Sequence, residues 1–246
     1  MAKRKSTVNI GTSGWSYSHW KGPFYPADIR NDDMLGFYCE HFRTVEINNS
    51  FYHLPHADTL RHWYEETPGD FVFSVKASRY ITHMKKLKDP KQSLHGLLER
   101  IPVLGEKLGP ILFQLPPRWH CNQERLARFL DGLSNEFRYT FEFRDPSWLE
   151  PEIYELLSRH NAAFCIYELD GFISPREVTA DFVYIRLHGP GGPYQGDYDN
   201  RTLAGWAGAF HAWREQGKEI YCYFDNDEAG NAARNAEALA GMLERR

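Results

Sequence analysis

Cysteine is scarce in this chain, with only four among 246 residues. The four stand far apart and none belongs to a Cys-x-x-Cys pair: Cys39, Cys121, Cys165 and Cys222. This scatter argues against a zinc knuckle or a redox pair. A chain of this length can bury a core that needs no disulfide or metal for stability. We therefore expect reduced thiols in a cytoplasmic protein.

Long apolar runs are also missing. No stretch reaches the roughly 18 apolar residues of a membrane span. The basic residues Lys3, Arg4 and Lys5 are not followed by the apolar segment that a signal peptide needs. We expect residues 1–7 to form a solvated tail, and we expect no membrane partner.

A strong excess of one charge is absent as well. The chain has 29 Lys and Arg against 33 Asp and Glu, which gives a formal net charge of −4. Because nucleic-acid binding usually needs a strongly basic face, we do not expect a nucleic-acid partner, although a local basic pocket is compatible with this composition. The sequence does not indicate an oligomeric state.

Two sequence motifs that would define a reaction are missing too. The chain has no phosphate-binding loop that ends in Gly-Lys-Ser or Gly-Lys-Thr. Ser13 does not stand in a Gly-x-Ser-x-Gly elbow, which argues against a serine hydrolase. Aromatic residues, in contrast, make up 15% of the chain, and many lie in loop-like segments.

Eight short apolar segments recur along the chain, and helical segments lie between most of them. The predicted strands cover residues 8–11, 44–47, 71–75, 111–114, 140–143, 164–167, 182–187 and 220–224. The predicted helices cover residues 33–40, 59–66, 91–108, 123–133, 151–160, 202–216 and 226–244. We expect Pro102 to kink or split the third helix, Thr202 to cap the sixth, and residues 174–180 to hold one helical turn at most. This alternation implies parallel strands joined by right-handed crossovers.

The two faces of several predicted strands differ in polarity. Side chains alternate across a strand, and one face carries polar residues: Thr44, Glu46, Ser74, Lys76, Gln114, Thr140, Glu142, Arg144, Arg186 and His188. Strands of an open sheet covered by helices would be apolar on both faces. We therefore predict an α/β protein, a single-domain (β/α)₈ TIM-type barrel over residues 1–246, with these side chains near its C-terminal rim.

Glu46 and Glu142 lie on the inward face of the second and fifth strands. A carboxylate inside a barrel is costly unless it is paired, hydrogen-bonded or metal-bound. One interpretation is a structural ion network, and the other is a pair of catalytic acid/base groups. We take the two glutamates as catalytic candidates, because strands two and five lie across the lumen from each other.

Basic side chains share this predicted rim. Arg186 and His188 end the seventh strand, and His188 is our third catalytic candidate. Arg144 and Arg186 suit an anionic ligand, because guanidinium donors fork around an oxyanion. Lys76 could form a Schiff base, but we expect it to pair with Glu46.

Further ligand-binding candidates follow the strand ends, namely Trp15, Asn48, Tyr52, Gln114 and Asn226. The aromatic loop around Trp15 could stack on a sugar or base, or it could simply cover the barrel. The Gly-Pro-rich loop of residues 190–198 could be a mobile lid or a phosphate cradle.

We predict no cofactor and no metal ligand. Glu46, Glu142, His188 and Asp225 could converge on a divalent ion. Lys76, Arg144 and Arg186 would crowd the same pocket with positive charge, which opposes a cation and favours an anion.

Short motifs in a fixed order resemble the YecE-like family, domain of unknown function 72. They extend from residue 9 to residue 243: Gly11-Thr-Ser-Gly-Trp15, Trp20-x-Gly22-x-Phe24-Tyr25-Pro26, Val45-Glu-Ile-Asn48-x-x-Phe51-Tyr52, Gln114-Leu-Pro-Pro117, Glu142-x-Arg144-x-x-Ser147-Trp148, Arg186-x-His188-Gly189, and Tyr223-Phe224-x-Asn226 with Asn235. The resemblance implies a TIM barrel similar to xylose isomerase and endonuclease IV, but no established reaction. Asp225 stands where the family often has Asn.

Three functions remain compatible with these residues. The first is an enzyme that binds a small polar or anionic ligand at the rim (a sugar, sugar phosphate or nucleotide fragment) and uses the paired glutamates for acid/base chemistry. The second is a metal-dependent hydrolase acting on nucleic acid or sugar phosphate. The third is a non-catalytic ligand-binding module.

Overall fold

Eight parallel strands with helices between them form a nearly closed barrel. The structure is a computed structural model that describes residues 7–244. The strands are β1 Val8–Thr12, β2 Thr44–Ile47, β3 Val72–Lys76, β4 Leu108–Gln114, β5 Tyr139–Glu142, β6 Ala163–Leu169, β7 Phe172–Ile173, β8 Phe182–Leu187 and β9 Glu219–Phe224. Their order is β1-β9-β8-β6-β5-β4-β3-β2, and the short β7 pairs antiparallel with β6. The predicted (β/α)₈ TIM-type fold is confirmed.

Within residues 7–244, seven α-helices surround the barrel. They are α1 Met34–His41, α2 Ala57–Glu66, α3 Pro90–Arg100, α4 Gln123–Asp131, α5 Pro151–Arg159, α6 Asn200–Glu215 and α7 Asn231–Glu244. In the described part of the chain, no helix has both the length and the apolar character needed to cross a membrane. Of the predicted N-terminal tail, only Thr7 is described, and its carbonyl accepts a hydrogen bond from Ile220.

The predicted helix boundaries were wrong at three places, each for a local reason. The third helix does not reach Leu108: it ends at Arg100, and 3₁₀ turns follow in which Gly105 adopts φ 49°. Asp199, rather than Thr202, caps α6, because its carboxylate accepts the Thr202 N–H at 2.7 Å. The last helix begins at Asn231 and leaves Asn226 in the connection after β9.

The core consists of two apolar clusters, one on each face of the strands. One cluster fills the barrel interior and includes Leu112, Cys165, Phe182, Tyr184, Tyr221 and Tyr223. The larger cluster lies between the strands and the helices. Within the barrel, the hydroxyl of Tyr223 lies 2.7 Å from Thr44 Oγ1 and 2.8 Å from Ser74 Oγ, so the lower lumen is packed and hydrogen-bonded.

The junction of β1 and β2 completes the barrel with the help of one side chain. The hydroxyl of the fully buried Tyr38 accepts the Thr12 N–H at 3.0 Å and donates to the Thr44 carbonyl at 3.0 Å. Gly11 permits this close approach, because a Cβ there would lie 2.2 Å from the Thr44 oxygen. Tyr38 therefore links the two strands below the direct hydrogen bond from the Gly14 N–H to the Glu46 carbonyl at 2.8 Å.

Removing this hydroxyl should weaken the barrel. In Tyr38→Phe, one backbone donor and one backbone acceptor lose their partner, so we expect the free energy of unfolding to fall by about 1–3 kcal/mol. Urea denaturation measures the difference. Tyr139→Phe is the matched control, since its buried hydroxyl has no hydrogen-bond partner. Equal effects of the two substitutions would contradict the role given to Tyr38.

Candidate active site

A buried guanidinium occupies the centre of the barrel's C-terminal end. Arg186, at the end of β8, has no exposed surface. Its Nη2 donates to Glu46 Oε1 at 2.8 Å and to Asp225 Oδ2 at 2.9 Å, and its Nη1 donates to Glu142 Oε2 at 2.9 Å. One cation thus connects carboxylates from β2, β5 and the residue after β9.

Glu46 is fully engaged within this network. Ser13 Oγ donates to its Oε1 at 2.6 Å, and the Tyr184 hydroxyl donates to its Oε2 at 2.7 Å. Arg186 Nε lies 3.1 Å from both oxygens. Because both oxygens already accept strong donors and the residue is fully buried, Glu46 has the surroundings of a structural anchor.

Glu142 is equally buried but lies one side chain away from an open cavity. Its Oε1 accepts from Gln114 Nε2 at 2.9 Å and from Arg144 Nε. Burial alone would raise the pKa of Glu142, but the positive charges of Arg144 and Arg186 hold it well below its usual value. Glu142 is therefore ionised at neutral pH.

His188 has a defined orientation between the two arginines and Asp225. Its Nε2 lies 2.9 Å from Arg144 Nη2 and 3.2 Å from Arg186 Nη1. Guanidinium groups only donate, so Nε2 acts as the acceptor and the imidazole carries its proton on Nδ1. Nδ1 lies 2.9 Å from Asp225 Oδ2, in poor alignment for a hydrogen bond. Burial would raise the pKa of Asp225, but Arg186 and His188 lower it.

Lys76 was expected to pair with Glu46, and the structure contradicts this. The Lys76 ammonium lies 4.5 Å from the centre of the Phe51 ring. Among residues 7–244, no carboxylate lies within ion-pairing distance of it. The physical reason is that Glu46 already accepts hydrogen bonds from Arg186, Ser13 and Tyr184.

Five of the eight predicted ligand-binding residues line two separate cavities, whereas Lys76, Arg186 and Asn226 line neither. Gln114 and Arg144 line a cavity of about 440 Å³ together with Tyr167, Phe172 and Tyr194. Arg144 packs on the Tyr167 ring at 4.8 Å, and Tyr194 stands edge-on to the His188 ring at 5.5 Å. We call this space the Arg144 cavity.

The other cavity has a volume of about 560 Å³ and contains the remaining aromatic candidates. Trp15, Asn48 and Tyr52 line it, and Trp63 stands edge-on to Trp15 at 4.8 Å. The only charged or titratable side chains that line it are those of Asp32, His62, Glu66 and tyrosines, so no lysine or arginine lines it. It therefore lacks the cation that an anionic ligand needs.

Asn226 lies in neither cavity and instead anchors the loop of residues 189–198. Its amide donates to the Gly196 carbonyl at 2.8 Å and to Asn235 Oδ1 at 2.9 Å. Asn235 in turn accepts the Tyr198 N–H at 3.2 Å and donates to Asp197 at 2.7 Å. These amides fix the loop that holds Tyr194 above His188.

The structure thus brings together Glu46, Glu142, Arg144, Arg186 and His188, whereas Trp15, Asn48 and Tyr52 lie apart from them. Sequence reasoning missed Ser13, Tyr184, Tyr167, Phe172 and Tyr194. Tyr184 points to the same face of its strand as Arg186, and Tyr167 points to the same face as Cys165. The alternation of side chains along these strands could therefore have identified both tyrosines as inward-facing. Nothing in the local sequence marks the positions of Phe172 and Tyr194.

The acidic residues do not form a ready cation site. Within the described ranges, no group of three or more His, Cys, Asp or Glu side chains is arranged to hold a metal ion. Arg186 takes the oxygens that such an ion would use.

Comparison with known proteins identifies the family. The family model described as "Protein of unknown function DUF72" matches residues 9–246. The chain belongs to this family. It is 27% identical to the UPF0759 protein YunF of Bacillus subtilis over 96% of this chain and 95% of YunF. It is 31% identical to YecE of Escherichia coli K12 over 57% of this chain and 50% of YecE. The predicted family resemblance is confirmed.

A crystal structure from this family has the same architecture. A DUF72 family protein from Thermotoga maritima is 30% identical, with a TM-score of 0.87 over 97% of this chain and 99% of that one. The names of these relatives state no reaction, so the arrangement of side chains has to indicate the chemistry.

The charge network should make stability depend on Arg186 in a pH-dependent way. Arg186→Met leaves three buried carboxylates without their shared cation, so we expect a loss of about 3–5 kcal/mol at neutral pH. In the wild type, the pKa values of Glu142 and Asp225 are lower in the folded than in the unfolded protein. This difference stabilises the fold fully at pH values above the unfolded pKa of about 4, and the stabilisation is lost as the pH falls through the folded pKa. In the variant, burial raises these pKa values, so the carboxyls take up protons and the difference from wild type shrinks at about pH 5.

Urea unfolding at the two pH values measures this effect. Arg61→Met is the control, because the Arg61–Asp58 pair is exposed, and we expect it to change stability by less than about 1 kcal/mol at either pH. A loss in Arg186→Met that is the same at both pH values would contradict the network.

Proposed function

We propose that this protein is a cytoplasmic enzyme that binds a small anionic, ring-containing ligand in the Arg144 cavity. One observation carries the proposal: the guanidinium of Arg144 lines an open cavity whose other walls include Tyr167, Phe172 and Tyr194. The cavity volume of about 440 Å³ lies in the range of small-molecule sites.

Arg144 has donors to spare for a ligand. Its Nε is engaged by Glu142 and its Nη2 by His188, while its Nη1 donates to no residue within positions 7–244. A phosphate or carboxylate is the natural partner of such a group, because arginine donates to oxyanions through paired N–H groups. The aromatic walls supply faces for a sugar or a base. Sugar phosphates and nucleotide fragments fit both requirements.

The acid/base chemistry would use Glu142 and His188. Both contact Arg144, so each is separated from a bound anion by one side chain. Glu46 would complete the glutamate pair by holding Arg186 in place, since its own oxygens are saturated.

A specific observation also favours a second candidate, a binding module without turnover. Glu142 is ionised and contacts two arginines, which makes it a weak base. The same contacts would suit a site that only holds an anion.

Substitution of Arg144 tests ligand binding. We expect wild-type protein to bind ribose 5-phosphate or AMP in isothermal titration calorimetry, and Arg144→Met to weaken the affinity at least about tenfold, because a charge-assisted hydrogen bond is lost. Lys88→Met removes an exposed positive charge elsewhere and should bind as wild type does. Equal affinity of the wild type and Arg144→Met would refute the assignment.

Substitution of Glu142 separates the enzyme from the binding module. Mass spectrometry of the small molecules that co-purify with the protein identifies the compound to assay. Glu142→Gln keeps the side-chain shape, and in an enzyme it should lower turnover by about 10²-fold or more while the ligand still binds. Glu46→Gln is the control: it should lower stability, but it leaves Glu142, the glutamate that contacts Arg144, unchanged. Retained turnover in Glu142→Gln excludes Glu142 from the acid/base role, and bound ligand without turnover in the wild type favours the module.

A further inference from the structure

One cation at the barrel end stays outside the ion network. Lys76 ends β3, and its ammonium makes no hydrogen bond and no ion pair with any residue in the described part of the chain. Its closest recorded partner is the Phe51 ring, 4.5 Å from Nζ. The side chain is half-buried, so water solvates it only in part. A charged amine in such surroundings is poorly stabilised.

The surroundings of Lys76 disfavour its ammonium form. Burial and then the positive charge of Arg186 lower its pKa to about 8. Asp225, Glu46 and Glu142 raise the pKa, but they do so from a distance and are already neutralised by arginine. At about pH 7.5 the uncharged amine is therefore populated roughly a hundredfold more than in an ordinary lysine.

A neutral imidazole contacts the same Phe51 ring as this amine. His83 belongs to the π-helical turn Tyr80–Met84 and stands edge-on to the Phe51 ring at 5.1 Å. Thr82 Oγ1 lies 2.9 Å from its Nδ1, which fixes the ring. Burial, Lys76 and Arg79 lower the pKa of His83 to about 4, so the imidazole is uncharged at neutral pH. An uncharged imidazole on the ring that Lys76 contacts can accept and return a proton.

The geometry points to Lys76 as a nucleophile that forms an imine with the carbonyl carbon of a small aldehyde or keto acid. The neutral amine attacks the carbonyl carbon, and the carbonyl oxygen takes up a proton. The nitrogen then gives one proton to the imidazole or to water, which completes a carbinolamine. The carbinolamine hydroxyl takes up a second proton and leaves as water while the nitrogen lone pair forms the C=N bond, and loss of the remaining N–H proton gives the imine. This inference does not depend on which ligand the Arg144 cavity binds.

A purely structural lysine would behave differently. If Lys76 only packs on Phe51 as a cation, it stays protonated and reacts more slowly than lysines on the surface. An imine-forming lysine reacts faster than they do, although it is less exposed. Reactivity at single-residue resolution therefore separates the two roles.

Reductive trapping on the whole protein makes this measurement. The protein is incubated with glyoxylate and sodium cyanoborohydride at about pH 7.5, and peptide mass spectrometry follows each lysine with time. We expect Lys76 to acquire the carboxymethyl adduct at least about tenfold faster than the exposed Lys88 and Lys91. The rate at Lys76 should rise with pH and level off above about pH 8.

Substitution of single lysines tests whether Lys76 carries the fast adduct, and circular dichroism checks that the variants fold. Lys76→Met should lose the fast adduct with an unchanged far-ultraviolet circular dichroism spectrum, and Lys88→Met should keep it. If Lys76→Met does not fold, the comparison of lysines within the wild type still decides. Modification of Lys76 at or below the rate of Lys88, or a rate at Lys76 that keeps rising to pH 10, overturns the inference.

Discussion

The charge of Arg186 is the constraint on which the barrel's C-terminal end depends. A guanidinium cannot be buried without anionic partners, and this one has three, from β2, β5 and the connection after β9. The same contacts make the carboxylates tolerable, because each would otherwise be an uncompensated buried charge. The network therefore joins strands from opposite sides of the barrel, and each partner depends on the others.

Strand alternation explains how much of this was predictable. Glu46, Glu142 and Arg186 each occupy the polar phase of a short apolar strand, and a parallel barrel turns that phase inward. The architecture and the convergence of these three residues therefore follow from local sequence. Which cation pairs with which carboxylate does not follow from local sequence, because it depends on distances across the lumen. The sequence favours Lys76 as the partner of Glu46, but the longer side chain of Arg186 reaches Glu46 and donates to it through both Nε and Nη2.

Loop positions were less predictable, since distant side chains set them. Tyr194 lies above His188 because Asn226 and Asn235, from the last connection and the last helix, anchor its loop. Asn226 looked like a ligand-binding residue because it follows a strand end. Its place after β9 equally suits a support for the neighbouring loop, and only the three-dimensional contacts separate the two roles.

Because Arg186 pairs with all three carboxylates, it also determines which nearby charged groups lack a partner. Arg186 takes the carboxylate oxygens, and this leaves little negative charge either for a cation or for Lys76. Lys76 consequently has no counter-ion, and its burial, followed by the positive charge of Arg186, lowers its pKa to about 8. Arg144, the second guanidinium, lines the cavity and has no partner for its Nη1 among residues 7–244. A single buried arginine thus bears on both proposed sites, because it leaves Lys76 without a counter-ion and shares Glu142 with Arg144.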